Sequence, residues 1–185
     1  MSKKEFVKPI VVLSIICIVT VAALAVTYQF TLPYIEAANA GAAAEAMKEV
    51  FPAEVAGASE VTFEAGDSSK IEEGSKVLDY SLVYNESHEL AGAVVTVGTK
   101  GYGGTVKMMV GVGMDGAVTG VTVLEHSETQ GLGSRATVPE YLEQYIGMTV
   151  SEPDLISGAT ITSTAVKNGV QAALDFFGNT IGGEG

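Results

Sequence analysis

The run from Asp154 to Thr160 contains the side chains of this sequence that are best suited to bind a ligand, because it combines small residues with hydroxyls. After it, apolar residues recur at helical spacing, which predicts a helix over residues 164–177 that Gly178 ends. The free N–H groups and positive dipole end of a helix N-terminus favour a bound phosphate. The residue types therefore indicate a phosphate site, with Gly158 and Ala159 leaving room for the ligand to approach the backbone.

Two other interpretations of this run stay open at this point. In the first, the run is an ordinary turn in which Thr162 or Ser163 caps the helix, and no ligand is involved. In the second, Ser157, His126 and Asp154 form a Ser-His-Asp hydrolase site. The second is disfavoured because nothing in the spacing around the serine marks a nucleophile elbow.

The run from Asp154 to Thr160 resembles the flavinylation motif of FMN-binding domains, and three upstream segments resemble the same family in the same order. These segments are Gly101–Gly104, Gly111–Gly116 and His126–Gly133. The last of them departs from the family pattern at Gln130, where a proline is usual. Because several ordered motifs are far more specific than one, the chain is similar to this family over much of its length.

The resemblance implies that FMN is attached covalently through a phosphoester to Thr160. A threonine hydroxyl is a weak nucleophile and no general base is evident beside it, so a separate flavin transferase is expected, with Asp154 helping to specify the target. Leu132 is expected to form an apolar wall for the isoalloxazine and Thr129 a polar contact. The complete set of implied cofactor-binding residues is Thr160, Ser157, Gly158, Ala159, Glu128, Thr129, Leu132 and Gly133.

The composition argues against several classes of site and partner. A net charge of −12 makes nucleic acid and anionic lipid surfaces poor partners, because both require a cationic footprint. The single cysteine, Cys17, lies in the apolar N-terminal segment, so no disulfide or cysteine-ligated cluster is expected in the rest of the chain. His88 and His126 are far apart in the sequence, and neither a metal site nor a catalytic residue is predicted.

The segment from Pro9 to Leu32 contains no charged residue and predicts a single transmembrane helix. At about 1.5 Å per residue it is roughly 36 Å long, enough to cross a hydrocarbon core of about 30 Å with some tilt. Lysines precede the segment and acidic residues follow it, which predicts a cytoplasmic N-terminus and an extracytoplasmic C-terminal domain in the cell membrane. Its length favours an uncleaved anchor over a signal peptide.

The remaining sequence predicts an α+β domain in which helices pack on a curved antiparallel sheet. β-branched and aromatic runs predict strands at residues 77–84, 90–97, 105–112 and 118–124, with a shorter one at 61–64. Helices are expected at 139–148 and 164–177. The predicted organisation is a cytoplasmic N-terminus at 1–8, a transmembrane helix at 9–32, a juxtamembrane helix and loops at 33–76, and an FMN-binding domain at 77–185.

Among FMN-binding proteins, the chain resembles the G subunits of Rnf electron transport complexes in its shortness and in its Thr31-x-Pro33-x-Ile35 exit from the apolar segment. The resemblance implies an electron-carrier protein within an ion-translocating ferredoxin:NAD⁺ oxidoreductase, with the other subunits as partners and no complete active site of its own. Two alternatives remain: the C subunit of a Na⁺-translocating NADH:quinone reductase, and an anchored envelope scaffold without a cofactor.

Overall fold

The computed structural model describes residues 3–182, without the side chains of residues 3–10, 33 and 35–39. The chain forms two units, Met1–Ala43 and Ala44–Gly185. Helix α1 spans Lys3–Val50 and ends directly before Phe51 and Pro52, because proline disfavours helical backbone at the residue that precedes it. Within α1, Val11–Leu32 is long and apolar enough to cross a membrane, with a mean hydropathy of 2.6. The predicted N-terminal apolar helix is therefore confirmed.

The second unit is built on a five-stranded antiparallel sheet in which neighbouring strands follow the chain order. This meander confirms the predicted fold class, and β3 continues beyond its predicted end as far as Lys100. Asp115 and Gly116 form a tight turn between the last two strands, where the positive φ of Gly116, 77°, favours glycine. The strands are β1 Thr62–Ala65, β2 Val77–Tyr84, β3 Leu90–Lys100, β4 Thr105–Gly113 and β5 Val118–Glu125.

Two helices of the second unit differ in length from the sequence prediction. Helix α2 covers only Pro139–Leu142 and is followed by a 3₁₀ turn at Glu143–Tyr145, so the predicted helix over 139–148 is too long. Helix α3 runs over Thr160–Thr180. The predicted start at residue 164 and the predicted end at Gly178 are therefore both wrong. A single glycine costs a helix only about 1 kcal/mol, which burial of the next apolar residue, Ile181, offsets.

The core of the second unit lies between α3 and one face of the sheet. Val166, Val170 and Phe177 of α3 are buried among alternate residues of β3 and β4, such as Val95 and Val110. Because successive strand residues point to opposite faces, the other face carries a different set. There the sheet is covered by Val50 and Phe51, which pack on the glycines Gly92, Gly111 and Gly120.

Candidate functional site

Three separate segments meet at a cleft of about 330 Å³ near the junction of β3 and β4. The β3–β4 turn contributes one residue, the segment that follows β5 contributes four, and the beginning of α3 with the turn before it contributes the rest. All of the predicted cofactor-binding residues except Ser157 line this cleft, so the structure brings together residues that are far apart in the sequence. The lining residues are Tyr102, Glu128, Thr129, Leu132, Gly133, Gly158, Ala159, Thr160, Ile161 and Thr162.

Thr160 is the first residue of α3, and its side chain is exposed. The N-cap is Ala159, and no side chain forms a capping hydrogen bond. The alternative in which Thr162 or Ser163 caps the helix is therefore wrong: the Thr162 hydroxyl donates to Glu128, and the Ser163 hydroxyl donates to the Ala159 carbonyl at 2.9 Å. The first N–H groups of a helix have no acceptor within it, so this uncapped end offers donors to an anion beside Thr160.

The turn before α3 requires glycine at one position. Ala159 N–H donates to the Ile156 carbonyl at 3.0 Å, and Gly158 between them has a φ of 82°. A positive φ at the third residue of a turn is favourable only for glycine and a few polar residues. Ser157 lies in the same turn, is exposed and does not line the cleft. Of the implied cofactor-binding residues, Ser157 is therefore the one that the structure does not bring to the cleft.

Asp154 is held in place through its backbone and not through its carboxylate. Its N–H donates to the Gln144 side-chain oxygen at 2.8 Å, and its carbonyl accepts from the Tyr141 hydroxyl at 3.0 Å. Because the side chain is exposed and both contacts use backbone atoms, the carboxylate is accessible to another protein. In residues 3–182, no hydrogen bond connects the side chains of Ser157, His126 and Asp154, which argues further against the hydrolase interpretation.

Glu128 is the polar centre of the cleft wall. Its side chain is 8% exposed, and both carboxylate oxygens accept hydrogen bonds: Oε2 from the Thr162 hydroxyl at 2.6 Å, and Oε1 from the Gly103 N–H at 3.0 Å. A Cβ atom at Gly101 or Gly133 would overlap this carboxylate. The glycines of two separate motifs are therefore needed because the buried carboxylate occupies the space beside them.

Three residues of the cleft lining were not predicted from the sequence: Tyr102, Ile161 and Thr162. Tyr102 is 73% exposed and Ile161 is 56% exposed. Both add apolar surface to the cleft beside Leu132, which was predicted to form an apolar wall. Tyr102 lies within the glycine-rich segment Gly101–Gly104. An aromatic residue between glycines is the signal that could have placed it in the site. For Thr162, which is buried, the local sequence carried no signal of a distant carboxylate partner.

The cleft combines features that fit the two ends of a flavin mononucleotide. Its size lies at the lower end of the range for small-molecule sites, which are mostly apolar with a few placed polar groups. Tyr102, Leu132 and Ile161 provide apolar surface for a flat ring system, and the uncapped start of α3 provides N–H donors for a phosphate. In the described part of the chain, no group of three His, Cys, Asp or Glu side chains could hold a metal ion.

Comparison with known proteins relates the chain to redox complexes. The model of the FMN-binding domain family matches residues 101–175. The G subunit of the ion-translocating oxidoreductase complex of Methanosarcina acetivorans is 33% identical over 94% of this chain and 95% of that protein. The G subunit of the Na⁺-translocating ferredoxin:NAD⁺ oxidoreductase complex of Acetobacterium woodii is 29% identical over 91% of this chain and 89% of that protein. A crystal structure of NqrC from Shewanella oneidensis aligns with 55% of this chain and 59% of the NqrC chain, at 26% sequence identity and a TM-score of 0.47.

Proposed function

The chain belongs to the family of G subunits of Rnf-type ion-translocating oxidoreductase complexes, electron-transport proteins with an FMN-binding domain, and from this premise we propose that FMN is attached to it through a phosphoester to Thr160. The observation that carries the proposal is the position of the Thr160 side chain. It is exposed, it lines the cleft, and it lies at the uncapped start of α3. A phosphate on this oxygen would be next to free N–H groups that favour its charge.

The remaining cleft residues divide the binding of the flavin between them. Leu132, Tyr102 and Ile161 hold the isoalloxazine by apolar contact, and Thr129 offers a polar contact. Gly158 and Ala159 allow the phosphate end to approach the backbone closely. When bound, FMN supplies the electron transfer, while the protein orients it and sets its electrostatic environment.

We propose that maturation requires a flavin transferase that recognises Asp154. The carboxylate is exposed and is six residues before Thr160, with its backbone held by Gln144 and Tyr141. This arrangement supports a role for Asp154 as a rigid recognition element for the transferase. Asp154 does not line the cleft. Replacement of Asp154 should therefore lower flavinylation of a chain that still folds.

In the assembled complex, we propose that this protein is one relay between redox partners and that the other subunits carry the catalytic sites and the ion path. The Acetobacterium woodii relative is named as part of a Na⁺-translocating ferredoxin:NAD⁺ oxidoreductase, and we propose the same reaction class here. The apolar segment Val11–Leu32 anchors the chain, with the N-terminus in the cytoplasm and the flavin domain outside. Protease protection of the C-terminal domain in intact spheroplasts would contradict this orientation.

The proposal is tested by expressing the full chain with a flavin transferase and measuring its intact mass. Wild type should gain the mass of one FMN with loss of water, and the flavin fluorescence should persist in a denaturing gel. Thr160→Ala and Thr160→Val should lose both signals, whereas Ser157→Ala should lose little. Thr164→Ala, which removes a hydroxyl one turn further along α3, is the matched control and should be flavinylated like wild type. Covalent flavin in either Thr160 variant would exclude this attachment site.

A further inference from the structure

Glu128 is a buried carboxylic residue that the proposed attachment chemistry does not use. Among the residues whose side chains the structure describes, it is the one buried residue with a carboxylate. Burial of a carboxylate costs free energy unless hydrogen bonds replace the lost water. A neutral side chain of the same size would avoid that cost. The presence of a carboxylate at this buried position therefore indicates that its charge has a role.

The contacts of Glu128 stabilise its charge without cancelling it. The Thr162 hydroxyl donates a short hydrogen bond of 2.6 Å to Oε2. The Gly103 N–H is 3.0 Å from Oε1. Both donors are neutral groups, so a net negative charge remains in the cleft wall, beside Leu132 and Thr129 that line the same space.

The same two hydrogen bonds connect the parts of the cleft. Gly103 is adjacent to Tyr102, and Thr162 is two residues beyond Thr160. We call the carboxylate with these two donors the Glu128 bridge. It joins the β3–β4 turn to the first turn of α3 through a residue that belongs to neither element.

We infer that Glu128 is a positioning residue whose charge also sets the reduction potential of the flavin. The Glu128 bridge fixes the turn that carries Tyr102 to the first turn of α3, which carries Thr160. The buried carboxylate disfavours the negative charge that reduction would add to the ring. This inference rests on the proposed function, because it needs a flavin in this cleft. Exposed carboxylates elsewhere act more weakly, since water and salt screen them.

The size of the effect follows from Coulomb's law. Two unit charges about 10 Å apart, at an effective dielectric constant of about 20, interact strongly enough to change an equilibrium roughly tenfold. For a two-electron couple a tenfold change corresponds to about 30 mV. Glu128→Gln keeps the shape of the side chain and removes its charge, so it should shift the equilibrium of the bound flavin roughly tenfold towards the reduced form.

The experiment uses the full flavinylated chain and compares three variants by redox titration and by hydrogen exchange of the Gly103 amide. Glu128→Gln should raise the midpoint potential. Glu128→Asp keeps the charge but shortens the side chain, so it should leave the redox equilibrium of the flavin within threefold of wild type and speed exchange at Gly103. Glu125→Gln removes an exposed carboxylate at the end of β5, outside the cleft lining, and should change neither readout.

The outcomes separate a charge effect from a packing effect. Equal potential shifts in Glu128→Gln and Glu128→Asp would show that only packing matters and would overturn the inference, as would a lower potential in Glu128→Gln. Should Glu128→Gln not fold, Thr162→Val removes one donor of the Glu128 bridge and should speed exchange at Gly103; unchanged exchange together with an unchanged potential would also overturn the inference. If the wild-type chain carries no flavin, the proposed function and the charge effect fail together. Exchange at Gly103 in the apo chain then still tests the bridge.

Discussion

Phe51 offers the sharpest test of how the second unit is held together, because its ring is fully buried on the sheet face opposite α3. Its N–H donates to the Met47 carbonyl at 3.0 Å, so it extends the last turn of α1. The preceding carbonyl, of Val50, accepts a hydrogen bond from the Thr119 hydroxyl at 2.6 Å. The ring lies so close to Gly92 that an added Cβ would be 2.7 Å from its Cε2 atom.

Phe51→Ala should destabilise the unit by about 4 kcal/mol. Burial of a phenylalanine side chain removes roughly 175 Å² of apolar surface from water, worth about 4 kcal/mol at roughly 25 cal/mol/Å². Measured losses for buried Phe→Ala changes are roughly 3–5 kcal/mol, in agreement with this value. Domains of this size have free energies of unfolding of about 5–15 kcal/mol, so the variant should retain only part of the wild-type stability.

The assay is denaturant unfolding of the detergent-solubilised full chain, followed by tyrosine fluorescence. Val55→Ala is the matched control: Val55 is four residues further along and 52% exposed, so its loss should be within about 0.5 kcal/mol. A loss below about 1 kcal/mol in Phe51→Ala would refute the conclusion that the end of α1 is part of the packed unit. A comparable loss of stability in Val55→Ala would show that truncation of any side chain in this segment is destabilising, whether or not the side chain is buried.

Two further predictions concern the cleft and the pH dependence of stability. Leu132→Glu and Tyr102→Leu should each alter the absorption spectrum of the bound flavin and leave the covalent bond at Thr160 intact, because both side chains line the cleft; unchanged spectra would mean that neither contacts the ring. Burial raises the pKa of the Tyr145 phenol above its usual value near 10, and the neighbouring Tyr141 acts in the same direction. Since the folded-state pKa is the higher one, this contribution to stability is fully present below about pH 10 and is lost above it, at a slope of about 1.4 kcal/mol per pH unit. Tyr145→Phe should remove that slope in unfolding measurements between about pH 9 and 11, and a slope equal to that of wild type would contradict the assignment.

Local patterns in the sequence determined most of the secondary structure and the order of the motifs. Runs of β-branched and aromatic residues predicted β2 to β5, because such side chains favour extended backbone in any strand. The charge-free run that ends at Leu32 predicted an apolar helix for the same kind of reason. Residue types and the resemblance to one family were enough to predict that the residues around Thr160 and the segment Glu128–Gly133 belong to the site.

Only the tertiary structure decided how these segments combine. The predicted start of α3 was residue 164, whereas the helix begins at Thr160. In its first turn, Thr162 is buried against a carboxylate 34 residues earlier in the chain. Likewise, Val50 and Phe51 fell outside the predicted FMN-binding domain, yet they are buried in the unit Ala44–Gly185. The physical reason is the same in each case. Periodicity and propensity describe a residue's near neighbours in the chain, whereas burial of a charge or a ring depends on partners that only the folded chain brings into contact.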